Sequence, residues 1–307
     1  MNAEPTTPKR LLVTGANGFV AGSVLAQAGD DTDLHALSRG EPPARPPNFH
    51  WHHCDPLLPG QLAELFRKIQ PDALIHTAAT ADIDFCQQHR EVAWAVNVEL
   101  TRTLAGLCAD SGAKLVFCST DTIFDGEHAP YREDNLPRPV NFYAETKVEA
   151  ERTVADLGAQ AVIARLSLVV GLPFLGAGNS FLPRMIAAFA EGRTVAVPEH
   201  EVRTPVDVAT VGRALLELAA GEHHGVFHLA GKDRLNRYVM AQQIAERFGF
   251  SKQLVVPQAP AASPGRAPRP RDVSLDNAKA CAKLKTPMRT FDDALSLILE
   301  TAASKPT

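Results

Sequence analysis

A tyrosine and a lysine four residues apart, Tyr143 and Lys147, are the pair in this sequence best suited to acid–base chemistry. On a helix, residues i and i+4 lie on the same face, so the phenol and the ammonium would be neighbours. A nearby positive charge favours the phenolate and lowers the pKa of a tyrosine. Such a tyrosine can give a proton to a carbonyl oxygen as hydride arrives at the carbon, while the lysine hydrogen-bonds a nicotinamide ribose. The pair therefore predicts a carbonyl reduction.

Hydroxyl and guanidinium groups elsewhere in the chain could complete such a site. Ser119–Asp121 follows the apolar run Leu115–Cys118, and its Thr120 hydroxyl can hydrogen-bond and polarise a substrate carbonyl. The alternative is that Ser119–Asp121 is only a strand-end turn or a helix cap. Arg203 and Arg269 could reach a phosphate of the substrate, or could instead form structural ion pairs.

The segment Thr14–Gly22 has the glycine spacing of a phosphate-binding turn between a strand and a helix. Glycine at 15 permits a tight turn, glycine at 18 lets a pyrophosphate approach the backbone, and Ala21 lets the helix pack on the strand. The first N–H groups of that helix would face the phosphates. A glycine-rich turn without a ligand is the alternative. The residues predicted to bind a cofactor here are Gly15, Asn17, Gly18, Phe19 and Val20.

The residues after the second strand indicate which dinucleotide binds. A site for NAD usually has a carboxylate there, about 20 residues after the glycines, whereas this chain has Ser38 and Arg39. Arg39 can pair with a 2′-phosphate and Ser38 can donate a hydrogen bond, so we predict NADP(H); otherwise Arg39 is a solvated loop charge. Asp55, after the third strand, can accept a hydrogen bond from the adenine amino group. Ala78 and Ala79, after the fourth, are small enough for the cofactor to pass over them.

Short apolar runs alternate with amphipathic stretches along the first part of the chain. Gln61–Gln70 and Val92–Cys108 each place apolar residues on one helical face. This alternation predicts an α/β fold, a Rossmann-type doubly wound parallel sheet whose carboxyl strand ends and ligands share one edge. The predicted strands are Leu11–Thr14, Leu34–Leu37, Ala73–His76, Leu115–Cys118 and Val162–Leu166.

From about residue 171 onward the pattern is less regular. We expect residues 1–170 to form an NADP-binding Rossmann domain, to which 203–231 returns. Residues 171–202 and 232–307 would form a smaller α/β substrate lobe, interleaved with the sheet and not appended after it. The predicted elements are helices near 179–191, 208–220, 236–248 and 288–302, and strands at Thr194–Val197 and Val226–Leu229.

Two proline-rich stretches interrupt this pattern. Glu41–Pro47 is predicted to be a surface loop. Pro257–Arg271 is longer and basic, and it is either a loop that covers the substrate or a flexible connector. Residues 1–8 are predicted to be a short disordered lead-in without the apolar core of a signal peptide.

The bulk composition is that of a soluble globular protein. Of the 307 residues, 45% are hydrophobic and 21% are charged. The net charge of −4 argues against a nucleic-acid partner, and no apolar run is long enough to span a membrane. Five dispersed cysteines without a CxxC pair favour reduced thiols and a cytoplasmic location. No metal site is predicted, since no cluster of cysteines or carboxylates accompanies His50, His52 and His53.

Several of these segments together resemble the extended short-chain dehydrogenase/reductase superfamily and, more narrowly, its dTDP-4-dehydrorhamnose reductase (RmlD-like) family. The resemblance spans nearly the whole chain, and its last segment is the one most particular to this family. The matching segments are TGANGFVAG at 14–22, HTAAT at 76–80, VNVELT at 96–101, STDTIFDG at 119–126, NFYAETKVEAE at 141–151, RLSLVVG at 165–171 and APRPRDVSLD at 267–276.

The resemblance implies a role for several residues. Tyr143 would be the proton donor, with Lys147 and Thr120 completing a triad. Asp121 would contact the substrate, and Asn97 would help to order the cofactor side of the site. The family reduces the 4-keto group of a dTDP-6-deoxy-hexulose with NADPH, so the expected partner is a small-molecule substrate of the nucleotide-sugar class.

The chain departs from that family at two positions near the expected pocket. Thr122 stands where the family usually has a tyrosine, and Leu168 stands where it often has a tryptophan that would contact the sugar nucleotide. The hydride chemistry needs neither aromatic ring, so these departures bear on the substrate. A second hypothesis is therefore an extended reductase or epimerase that acts on another carbonyl compound.

The chain also resembles the regulatory beta subunit of methionine adenosyltransferase, which belongs to the same superfamily, binds NADP and serves as a binding partner. A third hypothesis is therefore an NADP-binding regulatory subunit without catalysis, because fold and cofactor cannot separate an enzyme from such a subunit. A homodimer is compatible with the sequence but is not required by it. The shared segments are FDGEHAPYRED at 124–134, RTPVDVATV at 203–211, GVFHLAG at 225–231 and APRPRDVSLD at 267–276.

Overall fold

The computed structural model describes residues 10–42, 48–58, 60–176, 178, 180–258 and 266–303. The predicted N-terminal lead-in lies outside the described residues, as do 43–47 of the first proline-rich stretch and 259–265 of the second. Within the described ranges, the helices are too short or too polar to cross a membrane.

Seven parallel strands make up the central sheet. The strands of the chain are β1 (Arg10–Thr14), β2 (Asp33–Ser38), β3 (His50–His53), β4 (Ala73–His76), β5 (Lys114–Thr120), β6 (Ala161–Leu166), β7 (Val169–Val170), β8 (Val195–Pro198), β9 (Val202–Arg203), β10 (Val206–Asp207), β11 (Gly225–Leu229), β12 (Leu235–Asn236) and β13 (Val255–Gln258). The sheet has the order β3-β2-β1-β4-β5-β6-β11. The chain runs from β1 out to β3 and then returns to β4 on the other side of β1. The gap between β1 and β4 is therefore the switch point at which ligands bind in such sheets, and the predicted fold class is confirmed.

Helices connect the strands and begin mostly at polar capping residues. They are α1 (Phe19–Gln27), α2 (Gln61–Ile69), α3 (Ile83–Gln88), α4 (Arg90–Trp94), α5 (Leu100–Ser111), α6 (Phe142–Ala155), α7 (Phe181–Ala190), α8 (Val208–Ala220), α9 (Arg237–Arg247), α10 (Ala278–Lys283) and α11 (Phe291–Ala303). Asn141 accepts a hydrogen bond from the Ala144 N–H at the start of α6, and Asp207 caps α8 in the same way. Each such cap stabilises its helix by about 1 kcal/mol. The cap at Asn141 fixes where the helix that carries Tyr143 and Lys147 begins.

The predicted single helix at Val92–Cys108 is interrupted by a π-helical turn at Ala95–Glu99, between α4 and α5. Such turns insert one residue into a helix and are frequent at functional sites. Here Asn97 lies in the turn with 1% of its surface exposed. The apolar spacing alone did not indicate the turn, because the positions on either side of it keep a helical period.

Alternate residues of each strand pack on opposite faces of the sheet, as the pleat requires. In β1, Leu11 and Val13 contact the cluster formed with α1 and α8. Leu12 points the other way, into the cluster formed with α2, α5 and α6. Burying one such side chain contributes about 1.5–3 kcal/mol, so the sheet is held from both sides.

A third apolar cluster lies outside the sheet and combines elements that are far apart in sequence. It joins α7, α9 and α11, with Phe189, Ile244 and Leu295 among its buried members. Beside it β8 pairs in parallel with β13. Between these two stretches of chain, β11 returns to the central sheet and pairs with β6. This arrangement brings residues of the C-terminal third of the chain over the carboxyl ends of the strands.

Candidate active site

The glycine turn after β1 lines a cavity of about 380 Å³. Gly15 has φ +72°, and a Cβ added there would lie 2.8 Å from the backbone of Ala78, so only glycine fits the turn. Gly18 precedes α1 without a side-chain cap, which leaves the first N–H groups of that helix available to an anion. These features suit a pyrophosphate, as the spacing predicted.

The side of this cavity after β2 is lined by Ser38, Arg39 and Gly40. Asn17 donates a 3.1 Å hydrogen bond to the Ser38 hydroxyl, which also accepts one from the Gly40 N–H. Arg39 is exposed, and it forms no ion pair within the described part of the chain. Its charge is therefore available to a phosphate group at the rim of the cavity.

Asp55, predicted to contact adenine, does not itself line this cavity, although the two residues after it do. Pro56 and Leu57 line the cavity, whereas the Asp55 carboxylate accepts a 3.1 Å hydrogen bond from the Leu57 N–H. Asp55 therefore shapes the turn that carries the two apolar residues. Pro56 and Leu57 could not be predicted from the sequence, because no local pattern marks a loop residue that lines a cavity.

Asn97 fastens the loop after β4 to the helix that carries the tyrosine. Its amide oxygen accepts a 2.8 Å hydrogen bond from the Thr80 N–H, and its amide nitrogen donates to the Thr80 carbonyl and to the Thr146 hydroxyl, each at 3.0 Å. Thr80 lines the cavity together with Ala78 and Ala79. Asn97 thus acts on the cavity wall through Thr80 and does not itself line the cavity.

A second cavity, of about 550 Å³, continues from the glycine turn to the end of β5. It shares Asn17 and Gly18 with the first cavity, and it is also lined by Phe19, Val20, Tyr143 and Lys147. The predicted cofactor loop and the predicted catalytic pair therefore open onto one continuous space.

Burial dominates the electrostatics of Tyr143 and Lys147. It raises the pKa of the Tyr143 phenol above its ordinary value, and a hydrogen bond from Thr120 opposes that effect. Burial also lowers the pKa of Lys147 to about 8. The Lys147 ammonium lies 4.0 Å from the centre of the Phe117 ring. The expected lowering of the tyrosine pKa by the lysine is not seen, because removal of the phenol from water outweighs it.

Asp121 is held in place beside the phenol by buried groups. Its carboxylate accepts a 3.2 Å hydrogen bond from Ser167 and lies 3.6 Å from Nε of Arg203. Burial raises the pKa of Asp121, and Arg203 opposes that effect. Arg203 therefore forms the structural ion pair that was one of its two interpretations from the sequence, and its contact with a substrate phosphate stays a prediction.

Beyond Tyr143 the space widens into a third cavity of about 550 Å³, which we call the arginine cleft. Glu201 is 2% exposed and contacts both Arg237 and Arg266. The polar lining of the arginine cleft includes five arginines that come from separate segments of the chain: Arg184, Arg203, Arg237, Arg266 and Arg269.

Arg269 closes one side of the arginine cleft. Its guanidinium makes two 2.7 Å hydrogen bonds to the Asp84 carboxylate at the start of α3. This contact lowers the pKa of Asp84. The sequence indicates Arg203 and Arg269 as candidates but not Arg184, Arg237 and Arg266, because only the fold brings these segments together.

A glycine turn at the switch point of a doubly wound parallel sheet places the chain among the Rossmann-type dinucleotide-binding proteins. Within that class, the chain belongs to the RmlD family. The family model described as the RmlD substrate binding domain matches residues 9–304.

Named relatives align along most of their length. A dTDP-4-dehydrorhamnose reductase of Mycobacterium tuberculosis is 30% identical, with 96% of this chain and 94% of that protein covered. Methionine adenosyltransferase 2 subunit beta of Bos taurus is 29% identical, with 91% and 82% covered. The crystal structure of a dTDP-4-dehydrorhamnose reductase from Bacillus anthracis in complex with NADP superposes with a TM-score of 0.84 at 23% identity, covering 95% and 99% of the two chains.

Proposed function

We propose that this chain is an NADPH-dependent reductase of a keto group in a nucleotide sugar, with Tyr143 as the proton donor. The observation that supports it most is that Tyr143 lines two adjoining cavities. One of them leads to the glycine turn and the other is the arginine cleft. A dinucleotide in the first and an anionic substrate in the second would meet at the phenol.

The side chains at this junction suit a reduction. Bound NADPH would supply the hydride to the carbonyl carbon. Tyr143 would donate its proton to the carbonyl oxygen, and its raised pKa keeps that proton in place at neutral pH. Thr120 would hydrogen-bond the same oxygen and stabilise its developing negative charge. Lys147 would hold the nicotinamide ribose and stabilise the phenolate left after proton transfer.

The choice of NADPH over NADH rests on Arg39 and Ser38. A guanidinium and a hydroxyl at the rim of the cavity suit a 2′-phosphate, and no carboxylate lines this cavity among the described residues. The Bacillus anthracis relative was crystallised with NADP. That relative shares the fold of this chain, so the same dinucleotide is the cofactor to test here.

The arginine cleft supports an anionic substrate. Guanidinium groups recognise phosphates through paired hydrogen bonds. Arg184 is exposed at the cleft, and within the described residues it has no ion-pair partner. The named function of the Mycobacterium tuberculosis relative makes a dTDP-linked 4-keto-6-deoxy sugar the first substrate to test.

The test is the NADPH-dependent reduction of dTDP-4-keto-6-deoxyglucose or of its epimerised product, followed as loss of nicotinamide absorbance. We expect turnover by the wild type and a loss of about 100-fold or more in Tyr143→Phe, since general acid catalysis contributes that much. Both proteins should bind NADPH equally. Absence of NADPH consumption with these and related keto sugars would contradict the proposal.

A different carbonyl substrate is favoured by Thr122 and Leu168. Both line the arginine cleft, at positions where the family usually has a tyrosine and often has a tryptophan, respectively. An extended reductase or epimerase of another substrate would use the same phenol. A screen of ketones and nucleotide sugars separates the two, since turnover of an unrelated ketone alone would support this second candidate.

A regulatory role is favoured by the similarity to methionine adenosyltransferase 2 subunit beta. In that case the chain would bind NADP and a protein partner, and Tyr143→Phe would leave its biological role unchanged. Loss of the role in Tyr143→Phe would exclude this candidate.

A homodimer and a cytoplasmic location stay predictions. Sedimentation of the purified chain tests whether it forms a homodimer.

A further inference from the structure

We propose that Thr122 is a positioning residue whose hydroxyl donates to Thr120 and so turns the Thr120 proton toward the reacting oxygen. This inference rests on the proposed reduction, in which Thr120 donates to the substrate carbonyl. Thr120 ends β5, and Thr122 lies in the 3₁₀ turn Asp121–Ile123 that follows it. Both hydroxyl-bearing residues line the arginine cleft next to Tyr143.

Two groups of residue 122 face the Thr120 hydroxyl oxygen. The Thr122 N–H donates to it at 3.2 Å, and the Thr122 hydroxyl lies 3.1 Å from it. A hydroxyl has one proton and two lone pairs. If both groups of residue 122 donate, the two lone pairs of Thr120 are filled. The Thr120 proton is then directed away from residue 122.

The direction of the hydroxyl–hydroxyl bond decides what Thr120 can do. If Thr120 donated to Thr122, it would have no proton left for the carbonyl oxygen or for the Tyr143 phenol. Among the described residues, the Thr122 hydroxyl has no other hydrogen-bonding partner than Thr120. If Thr122 donates, its hydroxyl proton has a hydrogen-bond acceptor, and the Thr120 hydroxyl proton is free to bond another group.

Asp121 is a weak competitor for the Thr120 proton. Its Oδ1 lies 3.4 Å from the Thr120 hydroxyl, a long contact. Its Oδ2 accepts a hydrogen bond from Ser167 at 3.2 Å and lies 3.6 Å from Arg203, so the carboxylate already has two other partners. The phenol and a substrate oxygen remain as the acceptors for Thr120.

The contact needs a short side chain at position 122. In a tyrosine, which the resembling family usually has here, the aromatic ring separates the hydroxyl from Cβ, so it could not turn back to a residue two positions earlier. Valine has the shape of threonine without its hydroxyl, and serine keeps the hydroxyl. The pair Thr122→Val and Thr122→Ser therefore isolates the hydrogen bond from the volume of the side chain.

The first experiment measures kcat and KM of these variants with NADPH and the keto sugar nucleotide. We expect kcat of Thr122→Val to fall about 3- to 10-fold, the effect of one hydrogen bond, with KM changed less than about twofold. Thr122→Ser should stay within about twofold of the wild type. Equal kcat values in the wild type and Thr122→Val would overturn the proposal.

A double-mutant cycle separates positioning from a structural role. If Thr122 acts only through Thr120, adding Thr122→Val to Thr120→Val should lower kcat no further. If Thr122 merely supports the turn, the second substitution should lower kcat by the same factor in both backgrounds. That result would overturn the proposal.

Neutron diffraction from crystals exchanged into D₂O gives a readout that does not need turnover. A deuteron on Thr122 that points at the Thr120 oxygen is the expected result, and a deuteron on Thr120 that points at Thr122 would overturn the proposal. If the wild type turns over no keto sugar, the proposed function fails, while this measurement still decides the direction of the hydrogen bond.

Discussion

Ser119 donates a 2.5 Å hydrogen bond to Oε1 of Glu151. Glu151 lies one helical turn beyond Lys147 in α6, and its carboxylate also accepts hydrogen bonds from the Arg165 guanidinium at 2.8 and 3.1 Å. All three partners are less than 10% exposed. The buried contact therefore ties the ends of β5 and β6 to the helix that carries Tyr143 and Lys147.

Removing the Glu151 carboxylate is expected to destabilise the fold strongly. Glu151→Ala would leave the Arg165 charge buried without its partner, which costs about 3–5 kcal/mol. Ser119→Ala removes one hydrogen bond and should cost about 1 kcal/mol. Glu149→Ala is the control, because Glu149 lies on the same helix in a more exposed pair with Arg152 and should cost less than about 1 kcal/mol. Urea unfolding measures the free energy of unfolding of all three variants. Equal losses of stability in Glu149→Ala and Glu151→Ala would be contrary to this account.

Replacing Arg39 should change the preference between cofactors. In Arg39→Ala the 2′-phosphate loses a charge-assisted contact of about 1.5–3 kcal/mol, so NADPH should bind about 10- to 100-fold more weakly. The affinity for NADH should change little. Arg67→Ala, which removes an exposed arginine of α2 away from the cavity, is the control. Fluorescence titration with both cofactors gives the ratio of the affinities for NADPH and NADH. An unchanged ratio in Arg39→Ala would show that Arg39 is only a solvated charge.

The pH dependence should reflect the ammonium of Lys147. Burial lowers its pKa to about 8, so the group is charged below that pH and loses its charge above it. We therefore expect kcat/KM for NADPH to fall above about pH 8. In Lys147→Arg the guanidinium stays charged, so activity should be lower overall but without this alkaline fall. Rates between about pH 6 and 10 provide the test, and the same fall in Lys147→Arg would assign it to another group.

Two glycine substitutions should have opposite effects on the stability of the fold. In Gly15→Ala the new Cβ would lie 2.8 Å from the Ala78 backbone at φ +72°, which should destabilise the fold by more than about 1 kcal/mol and weaken NADPH binding. Gly106 lies inside α5, and a Cβ there would meet no atom within 4 Å. Gly106→Ala should therefore stabilise the fold by about 0.5–1 kcal/mol. Thermal unfolding with and without NADPH compares the stability of the two variants. A Gly15→Ala variant as stable as the wild type would refute the close approach of residue 15 to the Ala78 backbone.

The central sheet could be predicted from the sequence because its strands are short apolar runs bounded by turns. β4 falls at Ala73–His76, where the run predicted it, and β5 extends the predicted Leu115–Cys118 by one residue at its start and two at its end. The π-helical turn at Ala95–Glu99 could not be predicted, because it preserves the apolar face on either side. Local periodicity carries no information about one inserted residue.

The candidate site was predictable where one segment carries it. The glycine turn and the Tyr143–Lys147 pair are local patterns, and the structure places both on one continuous space. The arginine cleft is not local, since Arg184, Arg237 and Arg266 come from three segments of the second half of the chain. The pKa of Tyr143 also depends on the fold. The sequence shows which residues neighbour the phenol along the helix, but it does not show that the fold excludes water from it.

Transfer of deuterium from NADPH tests the central claim most directly. NADPH deuterated at the transferred position of the nicotinamide would be mixed with the wild type and dTDP-4-keto-6-deoxyglucose in a single turnover, and the sugar would be analysed by mass spectrometry. We predict one deuterium on the reduced carbon, and transfer at least about 100-fold slower in Tyr143→Phe with NADPH binding intact. A sugar without deuterium, or transfer by Tyr143→Phe at the wild-type rate, would contradict the account.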